Sequence, residues 1–382
     1  MKITGVETFL VPPRWLFVKV STDEGVSGWG EASLEGRTGT ARSAVVELED
    51  YLIGEDPLHL EKHWQMMTKS TFYRGGPVLS TAVAGIDQAL WDIAGKWRGA
   101  PVHELLGGPV RDRARVYSWV GGDTPGKVME EIANRKEHGF DAVKMNAPGP
   151  LEPLDKPAAI ARIVALASSA REALGPDADF ALDFHGRFSA AMARRVLREL
   201  EPLKPMFVEE PVLPEFIETR LAEVTGSTVI PIAVGERLFS RSDFLPALRS
   251  GIAVAQPDIS HCGGISEARR IAVLAECFDV NLAPHCPLGP IALAASLQVA
   301  FATPNFLIQE QSAGIHYNKG DDLLDYLVDP SVFMYKAGYC ERPVKPGLGI
   351  EVDEAAVRRA VEVGEHWRTP HWQHLDGSFA EW

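Results

Sequence analysis

The stretch Phe180-Ala-Leu-Asp-Phe-His185 is an apolar run that ends in an aspartate and a histidine two residues apart. Residues i and i+2 of a β-strand point to the same face, so this pattern predicts that Asp183 and His185 face the same way. A strand end that frays into solvent, with Asp183 capping the turn, would give the same pattern. The neighbouring runs distinguish the two interpretations.

Seven further short apolar runs resemble this stretch, each followed by turn residues and a helical segment. Strands that alternate with helices are typical of a parallel sheet. Eight such units within about 200 residues predict a TIM barrel, and a doubly wound sheet is the alternative. The seven runs are Ala114–Trp119, Asp141–Asn146, Met206–Pro211, Ile230–Glu236, Ala253–Asp258, Val280–His285 and Phe306–Glu310.

The first part of the chain has a different pattern. Phe17–Ser21 and Val26–Gly30 read as two strands joined by a turn, and Thr81–Lys96 has the periodicity of a helix. This part, up to about residue 110, is therefore predicted to be an α+β unit that precedes the barrel.

Acidic side chains and histidines recur where the predicted strands end. The carboxyl ends of TIM-barrel strands converge on one face, where the chemistry of such enzymes takes place. Carboxylates brought together there would repel one another unless a cation or protons neutralise them. The residues at these ends are Asp183, His185, Glu209, Glu236, Asp258, His285 and Glu310.

Three of these carboxylates, Asp183, Glu209 and Glu236, lie on successive strands and can form one ligand cluster. Ligands that are all oxygen favour a hard cation, with Mg²⁺ first and Mn²⁺ second. Zinc would prefer nitrogen or sulfur ligands, and the sequence has no HExxH motif or paired Cys/His spacing.

Two histidines are candidates for proton transfer. Asp258 can hold His285 in one tautomer and raise its basicity, which would make His285 a general base; a structural ion pair is the alternative. His185 can act as an acid on the other side of the site, and the alternative is a supporting neighbour of the metal.

The bulk properties are those of an ordinary soluble protein of 382 residues, long enough for two domains. A net charge of −14 argues against a nucleic acid or an anionic membrane as partner. The start of the chain lacks the features of a signal peptide, and the four cysteines form no CxxC pair. We therefore expect a cytoplasmic protein with free thiols.

The motifs resemble those of the enolase superfamily, mandelate racemase subgroup, and within it the dehydratases of sugar acids. The resemblance extends over essentially the whole chain. The carboxylate triad is shared by the superfamily and the Asp258/His285 pair by the subgroup. The combination of Asp183-Phe-His185 with Pro284-His-Cys-Pro-Leu-Gly-Pro290 is far more specific.

The resemblance implies a role for each site residue. Asp183, Glu209 and Glu236 would bind one Mg²⁺ per subunit. His285 would be the base with Asp258 behind it, and His185 would be the acid. Glu310 would be a partner of the substrate carboxylate.

The resemblance also implies an overall organisation. An α+β cap domain (residues 1–112) would close over a (β/α)₇β barrel (residues 113–345), and residues 346–382 would return to the cap. The expected partner is a small-molecule sugar acid, D-galactonate, with no nucleic acid or membrane partner. A homo-oligomer is expected.

One position departs from the subgroup. Many members have Lys-x-Lys at the end of the second barrel strand, whereas this chain has Lys144-Met-Asn146. Asparagine cannot take a proton from carbon, so elimination is favoured over racemisation. Lys144 and Asn146, with Arg14 and Tyr73 of the cap, are the predicted substrate-binding residues.

Two alternatives remain open at this point. Another acid-sugar dehydratase or an epimerase of the same subgroup would share these motifs. A non-catalytic sugar-acid binding protein on the same fold is the second, although binding alone requires neither an acid nor a base.

Overall fold

The structure is a computed structural model of the chain, and it describes residues 1–147, 149, 151–315, 318, 322–363 and 367–381. Its strands are β1 (Ile3–Val11), β2 (Trp15–Thr22), β3 (Ser27–Glu31), β4 (Arg113–Trp119), β5 (Ala142–Asn146), β6 (Asp179–Asp183), β7 (Phe207–Glu209), β8 (Ile232–Val234), β9 (Val254–Ala255), β10 (Asn281–Leu282), β11 (Gln309–Glu310), β12 (Tyr339–Glu341), β13 (Trp372–Gln373) and β14 (Phe379–Ala380).

The α-helices are α1 (Thr38–Glu49), α2 (Leu60–Lys69), α3 (Gly76–Arg98), α4 (Val102–Leu105), α5 (Pro125–Glu137), α6 (Pro157–Leu174), α7 (Ala190–Leu200), α8 (Ala222–Thr225), α9 (Arg241–Arg249), α10 (Gly264–Glu276), α11 (Pro290–Ala302) and α12 (Glu354–Val363). A π-helical turn, Ile217–Leu221, leads into α8. None of the helices in the described ranges combines the length and hydrophobicity that crossing a membrane requires.

The N-terminal unit is an antiparallel sheet in the order β1-β2-β3, with α3 packed across it. One face of α3 presents Ile86, Leu90 and Ile93 at helical spacing to the sheet. Gly30 allows the close approach of the two, because a Cβ there would lie 1.9 Å from the carbonyl oxygen of Gly85. The predicted α+β unit is thus present.

Eight parallel strands form the barrel. The hydrogen-bonded order is β10-β9-β8-β7-β6-β5-β4-β11, and a bridge between Leu282 and Phe306 joins its two ends. Helices α5 to α11 connect successive strands, and β11 completes the ring. This arrangement confirms the predicted (β/α)₇β barrel with its N-terminal α+β unit, and the doubly wound sheet is excluded.

The helix after β11 is not a barrel helix. Helix α12 packs against β1 and is held by two ion pairs, Lys19–Glu354 at 2.8 Å and Arg358–Glu7 at 2.9 Å. The chain therefore returns to the N-terminal unit at this point. The boundaries at residues 112/113 and 345/346 remain predictions.

A layer of buried apolar side chains fills the barrel interior, with one residue from each strand or its immediate neighbour. Large and small residues share this layer, which matches the way closed barrels are filled. The layer consists of Tyr117, Ala142, Ala181, Phe207, Ala233, Val254, Ala283 and Ile308. Because side chains alternate along a strand, the residues two positions further on point into the barrel at its carboxyl end.

Glu31 joins the N-terminal unit to the barrel. Its buried carboxylate accepts hydrogen bonds from the backbone of Gly289 at 2.8 Å and of Ala292 at 3.0 Å, at the start of α11. Ser33 Oγ donates a third at 2.7 Å. A carboxylate at a helix N-terminus satisfies donors that the helix leaves unpaired. The helix it caps begins at Pro290, five residues after the predicted base, His285.

We predict that Glu31→Ala lowers the free energy of unfolding by about 3 kcal/mol, because unpaired buried donors cost about 1–3 kcal/mol each. Urea denaturation measures the change. Glu47 is an exposed glutamate of α1, and Glu47→Ala is the control with an expected change within about 0.5 kcal/mol. Equal unfolding free energies for the two variants would contradict this role of Glu31.

Candidate active site

Lys144 lies at the centre of the carboxylates at the carboxyl end of the barrel. Its Nζ is 2.7 Å from Glu209 Oε2, 3.0 Å from Glu310 Oε1 and 3.6 Å from Asp183 Oδ2, and all four side chains are fully buried. Lys144, Asp183, Glu209 and Glu310 each follow a residue of the interior layer by two positions. The alternation of the strands therefore brings them together.

The charges around Lys144 change one another's ionisation. Burial lowers the pKa of Lys144, but Glu209 and Glu310 outweigh this effect and raise it well above its ordinary value. Burial raises the pKa of Asp183, but His185 and Lys144 leave it below its ordinary value. Burial and the neighbouring Asp183 raise the pKa of Glu209 to about 7. Lys144 alone thus does not neutralise the cluster.

His285 and Asp258 form a buried pair. The distance from His285 Nδ1 to Asp258 Oδ2 is 2.7 Å, and His285 Nε2 lies 3.1 Å from Glu236 Oε2. Burial lowers the pKa of His285, but Glu236 and Glu310 outweigh this effect and hold it well above its ordinary value. Asp258 accepts the hydrogen bond from Nδ1, so the other ring nitrogen, Nε2, is the one that faces Glu236.

His185 reaches the cluster by a different route from the one expected. Strand β6 ends at Asp183, and His185 lies in the turn beyond it with φ of 49°. Strand alternation, which the sequence pattern invoked, therefore does not place this side chain. The turn itself brings His185 Nε2 to 2.9 Å from Asp183 Oδ2, while the backbone N–H of His185 donates to Asp183 Oδ1 at 2.9 Å.

Two arginines hold this turn. Arg187 Nη2 lies 2.9 Å from His185 Nδ1, and Arg187 Nη1 donates to the carbonyl of Ala147 at 2.7 Å. Arg237 Nη2 donates to the carbonyl of His185 at 3.0 Å and pairs with Glu210 at 2.5 Å. No sequence pattern predicts a role for either arginine, and only the residues around them in space reveal one.

Glu310 accepts hydrogen bonds on both of its oxygens. Trp119 Nε1 donates to Oε1 at 2.6 Å, and the backbone of Cys286 donates to Oε2 at 2.8 Å. Burial raises the pKa of Glu310, but Lys144 and His285 outweigh it and leave the pKa below its ordinary value. Glu310 is therefore an acceptor in this arrangement.

The carboxylates fit a divalent cation. Asp183, His185 and Glu236 present ligand atoms within 4.8 Å of one another. Glu209 Oε1 is buried, and no donor among the described residues hydrogen-bonds to it. A buried carboxylate oxygen without a donor is stabilised by a cation, and a hard cation suits such oxygens. A second group, Asp258, His261 and His285, also has its ligand atoms within 4.8 Å of one another. In this group, however, His285 and Asp258 are already hydrogen-bonded to each other.

These residues face a cavity of about 710 Å³. Arg14 and Asn146, both predicted to bind substrate, line it, and so does Arg37. Lys144 lies beneath its surface, fully buried. Tyr73 is 83% exposed and, among the described residues, does not belong to the lining.

Other lining residues were not singled out from the sequence. His261 lies three residues after Asp258, and its Nε2 donates a hydrogen bond to the carbonyl oxygen of Ser33 at 3.0 Å. Trp367 and Trp372 also line the cavity, although the C-terminal segment was expected only to pack against the cap. The spacing of His261 from Asp258 was a usable signal, whereas nothing in the sequence places the tryptophans here.

Two family models match the chain. One, described as "Enolase C-terminal domain-like", matches residues 127–356, and the other, "Mandelate racemase / muconate lactonizing enzyme, N-terminal domain", matches residues 8–107. The chain belongs to the enolase superfamily. The predicted resemblance to this superfamily is thereby confirmed.

Relatives in this superfamily match all or nearly all of the chain. A D-galactonate dehydratase of Ralstonia pickettii (strain 12J) is 53% identical over 383 residues, and one of Variovorax paradoxus (strain S110) is 52% identical; each match covers 100% of both chains. An enolase from Agrobacterium radiobacter, solved with Na and L-malate bound, has 32% identity and a TM-score of 0.91 with full coverage of both chains. An enolase superfamily member from Salmonella Typhimurium has 31% identity and a TM-score of 0.87, covering 94% of this chain and 98% of its own.

We predict that Lys144→Met lowers the free energy of unfolding of the metal-free protein by about 3–5 kcal/mol, because it leaves buried carboxylates without their cation. Excess Mg²⁺ should restore part of the loss, since it would neutralise the same carboxylates. Chemical denaturation with and without Mg²⁺ measures both effects.

The control is Lys62→Met, because Lys62 forms an exposed ion pair with Glu55 at 2.6 Å. Such pairs contribute about 0–1 kcal/mol. A loss at Lys144 no larger than at Lys62 would show that the buried lysine does not balance the cluster.

Proposed function

We propose that this enzyme dehydrates D-galactonate to 2-dehydro-3-deoxy-D-galactonate and water. The full-length relatives confirm the prediction of a hydro-lyase that acts on a sugar acid. The observation that carries the finer proposal is the pair of histidines that flank the carboxylates, His185 against Asp183 and His285 against Glu236. A dehydration needs one group to take a proton and another to give one.

We propose that Asp183, Glu209 and Glu236 hold one Mg²⁺ per subunit. The donor-free oxygen of Glu209 and the raised pKa of its carboxyl support this assignment. When bound, the ion supplies positive charge that stabilises the extra negative charge on the substrate carboxylate after C2 loses its proton.

His285 is the proposed base. Its Nδ1–H donates a hydrogen bond to Asp258 at 2.7 Å, so the lone pair of the neutral ring lies on Nε2. The carboxylates that raise the pKa of His285, Glu236 foremost, are those next to the proposed cation. Neutralising them frees Nε2 to take the C2 proton.

His185 is the proposed acid. Nε2 of His185 faces the cluster, 2.9 Å from Asp183 Oδ2, so the protonated ring would present its transferable proton there and become a neutral imidazole after giving it up. The C3–O bond breaks as this proton passes to the leaving hydroxyl, and the electrons of the C2–H bond form the C2=C3 bond. The resulting enol becomes the 2-keto acid, and the hydroxyl leaves as water.

Two further residues would contact the substrate. Glu310 is an acceptor in the ligand-free site, so its proposed role as partner of the substrate carboxylate requires a proton to be taken up between the two carboxyl groups when substrate binds. Asn146 Oδ1 is buried at the cavity without a hydrogen-bond donor among the described residues, so it is suited to accept from a sugar hydroxyl.

The proposed reaction has one base and therefore acts on one configuration at C2. The second barrel strand, which ends in Lys144 and Asn146, supplies no second base. The ammonium group of Lys144 is committed to Glu209 and Glu310, and Asn146 has no basic nitrogen, so His285 is the proposed sole base for C2. A racemase would need a second base on the opposite face. We therefore favour dehydration over epimerisation.

A panel of hexonates, assayed for keto-acid formation with Mg²⁺, tests the proposal. We predict that D-galactonate has the highest kcat/KM and that its C2 epimer is not consumed. The enzyme treated with EDTA is the control and should be inactive until Mg²⁺ is added back.

Each other outcome identifies a different error. A higher kcat/KM for another hexonate would refute D-galactonate as the substrate. Interconversion of C2 epimers without keto acid would indicate an epimerase. Binding of hexonates without any turnover would indicate a sugar-acid binding protein.

A further inference from the structure

The described C-terminal residues 367–381, called here the C-terminal hairpin, form part of the active-site wall. Strands β13 and β14 pair within it, Trp372 with Ala380 and Gln373 with Phe379. Trp367, Pro370 and Trp372 line the same cavity as the two candidate histidines. The proposed reaction assigns nothing to these three residues.

Contacts with both parts of the protein hold the C-terminal hairpin in place. Thr369 packs on the loop after β3, where a Cβ added to Gly36 would lie 2.2 Å from Thr369 Oγ1. Gly36 also has φ of +71°, so both space and backbone favour glycine there. On the barrel side, His374 Nδ1 lies 3.1 Å from Glu152 Oε1. The hairpin thus spans the cleft between the N-terminal unit and the barrel.

Each tryptophan stacks on an arginine of the cavity. The guanidinium carbon of Arg187 is 4.7 Å from the ring centroid of Trp372, and that of Arg14 is 5.5 Å from the ring of Trp367. Stacking of this kind fixes the orientation of an indole ring. Arg187 is also the residue that contacts His185, so Trp372 stands on the acid's side of the cavity.

The position of Trp372 relates it to one end of the substrate. In the proposed reaction the carboxylate and C2 lie between the metal ligands and His285, and the C3 hydroxyl lies at His185. The carbons beyond C3 then continue past His185, towards Arg187 and the ring that stacks on it. The face of an indole carries partial negative charge, and the C–H groups of a hydroxylated chain carry partial positive charge.

We propose that the C-terminal hairpin forms the subsite for the distal hydroxylated carbons of the sugar acid, with Trp372 as its main contact and Trp367 beside it. This inference rests on the proposed function, because the direction of the substrate follows from the roles of the two histidines. It makes chain length, and not only configuration, a property that the enzyme recognises.

Two substrates of different length test the subsite. D-galactonate has three carbons beyond C3, whereas L-threonate has the same configuration at C2 and C3 and one carbon beyond. Trp372→Ala should lower kcat/KM about tenfold for D-galactonate, mainly through KM, and leave kcat/KM for L-threonate within about twofold. Trp372→Phe, which keeps an aromatic face, should recover most of the loss.

Trp97 provides the matched control. It is a half-exposed tryptophan of α3 that does not line the cavity, so Trp97→Ala should leave both substrates unaffected. Thermal melting of all variants establishes that they are folded. If Trp372→Ala unfolds, the comparison is made with Trp372→Leu and Trp367→Phe, which retain apolar volume.

The outcomes separate this inference from the proposed function. Equal losses for both acids in the Trp372 variants, or no loss for either, would overturn the subsite while leaving the dehydratase intact. If the wild-type enzyme prefers another hexonate, the proposed substrate is wrong, and that hexonate and its four-carbon analogue decide the subsite by the same ratio.

Discussion

Electrostatic repulsion among buried carboxylates is the constraint on which this site depends. Asp183, Glu209 and Glu310 are fully buried at the carboxyl end of the barrel, and Glu236 lies beside them. Such a cluster is unstable in a dry interior unless cations neutralise it. Lys144 contacts three of the four, yet the pKa of Glu209 stays at about 7 and that of Glu236 well above its ordinary value. The remaining imbalance is what the proposed Mg²⁺ would remove.

The two histidines differ in the groups that contact their rings. His285 is backed by Asp258 and presents Nε2 to Glu236, whereas His185 is backed by Arg187 and presents Nε2 to Asp183. A carboxylate behind the ring of His285 favours taking a proton. The proposed base and acid therefore differ in their supports and not in their side-chain type.

Much of the site could be predicted because it follows from strand alternation. Each barrel strand or its immediate neighbour carries an interior residue, and on five of the eight a site residue follows two positions later, as in Ala142 and Lys144 or Phe207 and Glu209. The eight apolar runs and the polar residues at their ends are visible in the sequence. Alternation also explains why the barrel and the convergence of its carboxylates could be predicted together.

The remaining features depend on contacts that no local pattern encodes. His185 lies in a turn with positive φ that the side-chain carboxylate of Asp183 and the backbone carbonyl of Glu210 hold, so strand alternation predicts the right neighbour for the wrong reason. Trp367 and Trp372 reach the cavity from the far end of the chain. Tyr73, chosen from a cap loop, is exposed to solvent instead. Loop and terminal positions are set by long-range packing, which a single sequence does not reveal.

Exchange of the C2 hydrogen of D-galactonate with solvent deuterium tests the central claim, the division of labour between the two histidines. His185→Asn should form no keto acid but should retain C2 exchange, because proton removal needs only His285 and the proposed metal. His285→Asn should lose both exchange and dehydration. Complete loss of exchange in a His185→Asn variant that still binds Mg²⁺ would contradict the assignment of His285 as base and His185 as acid.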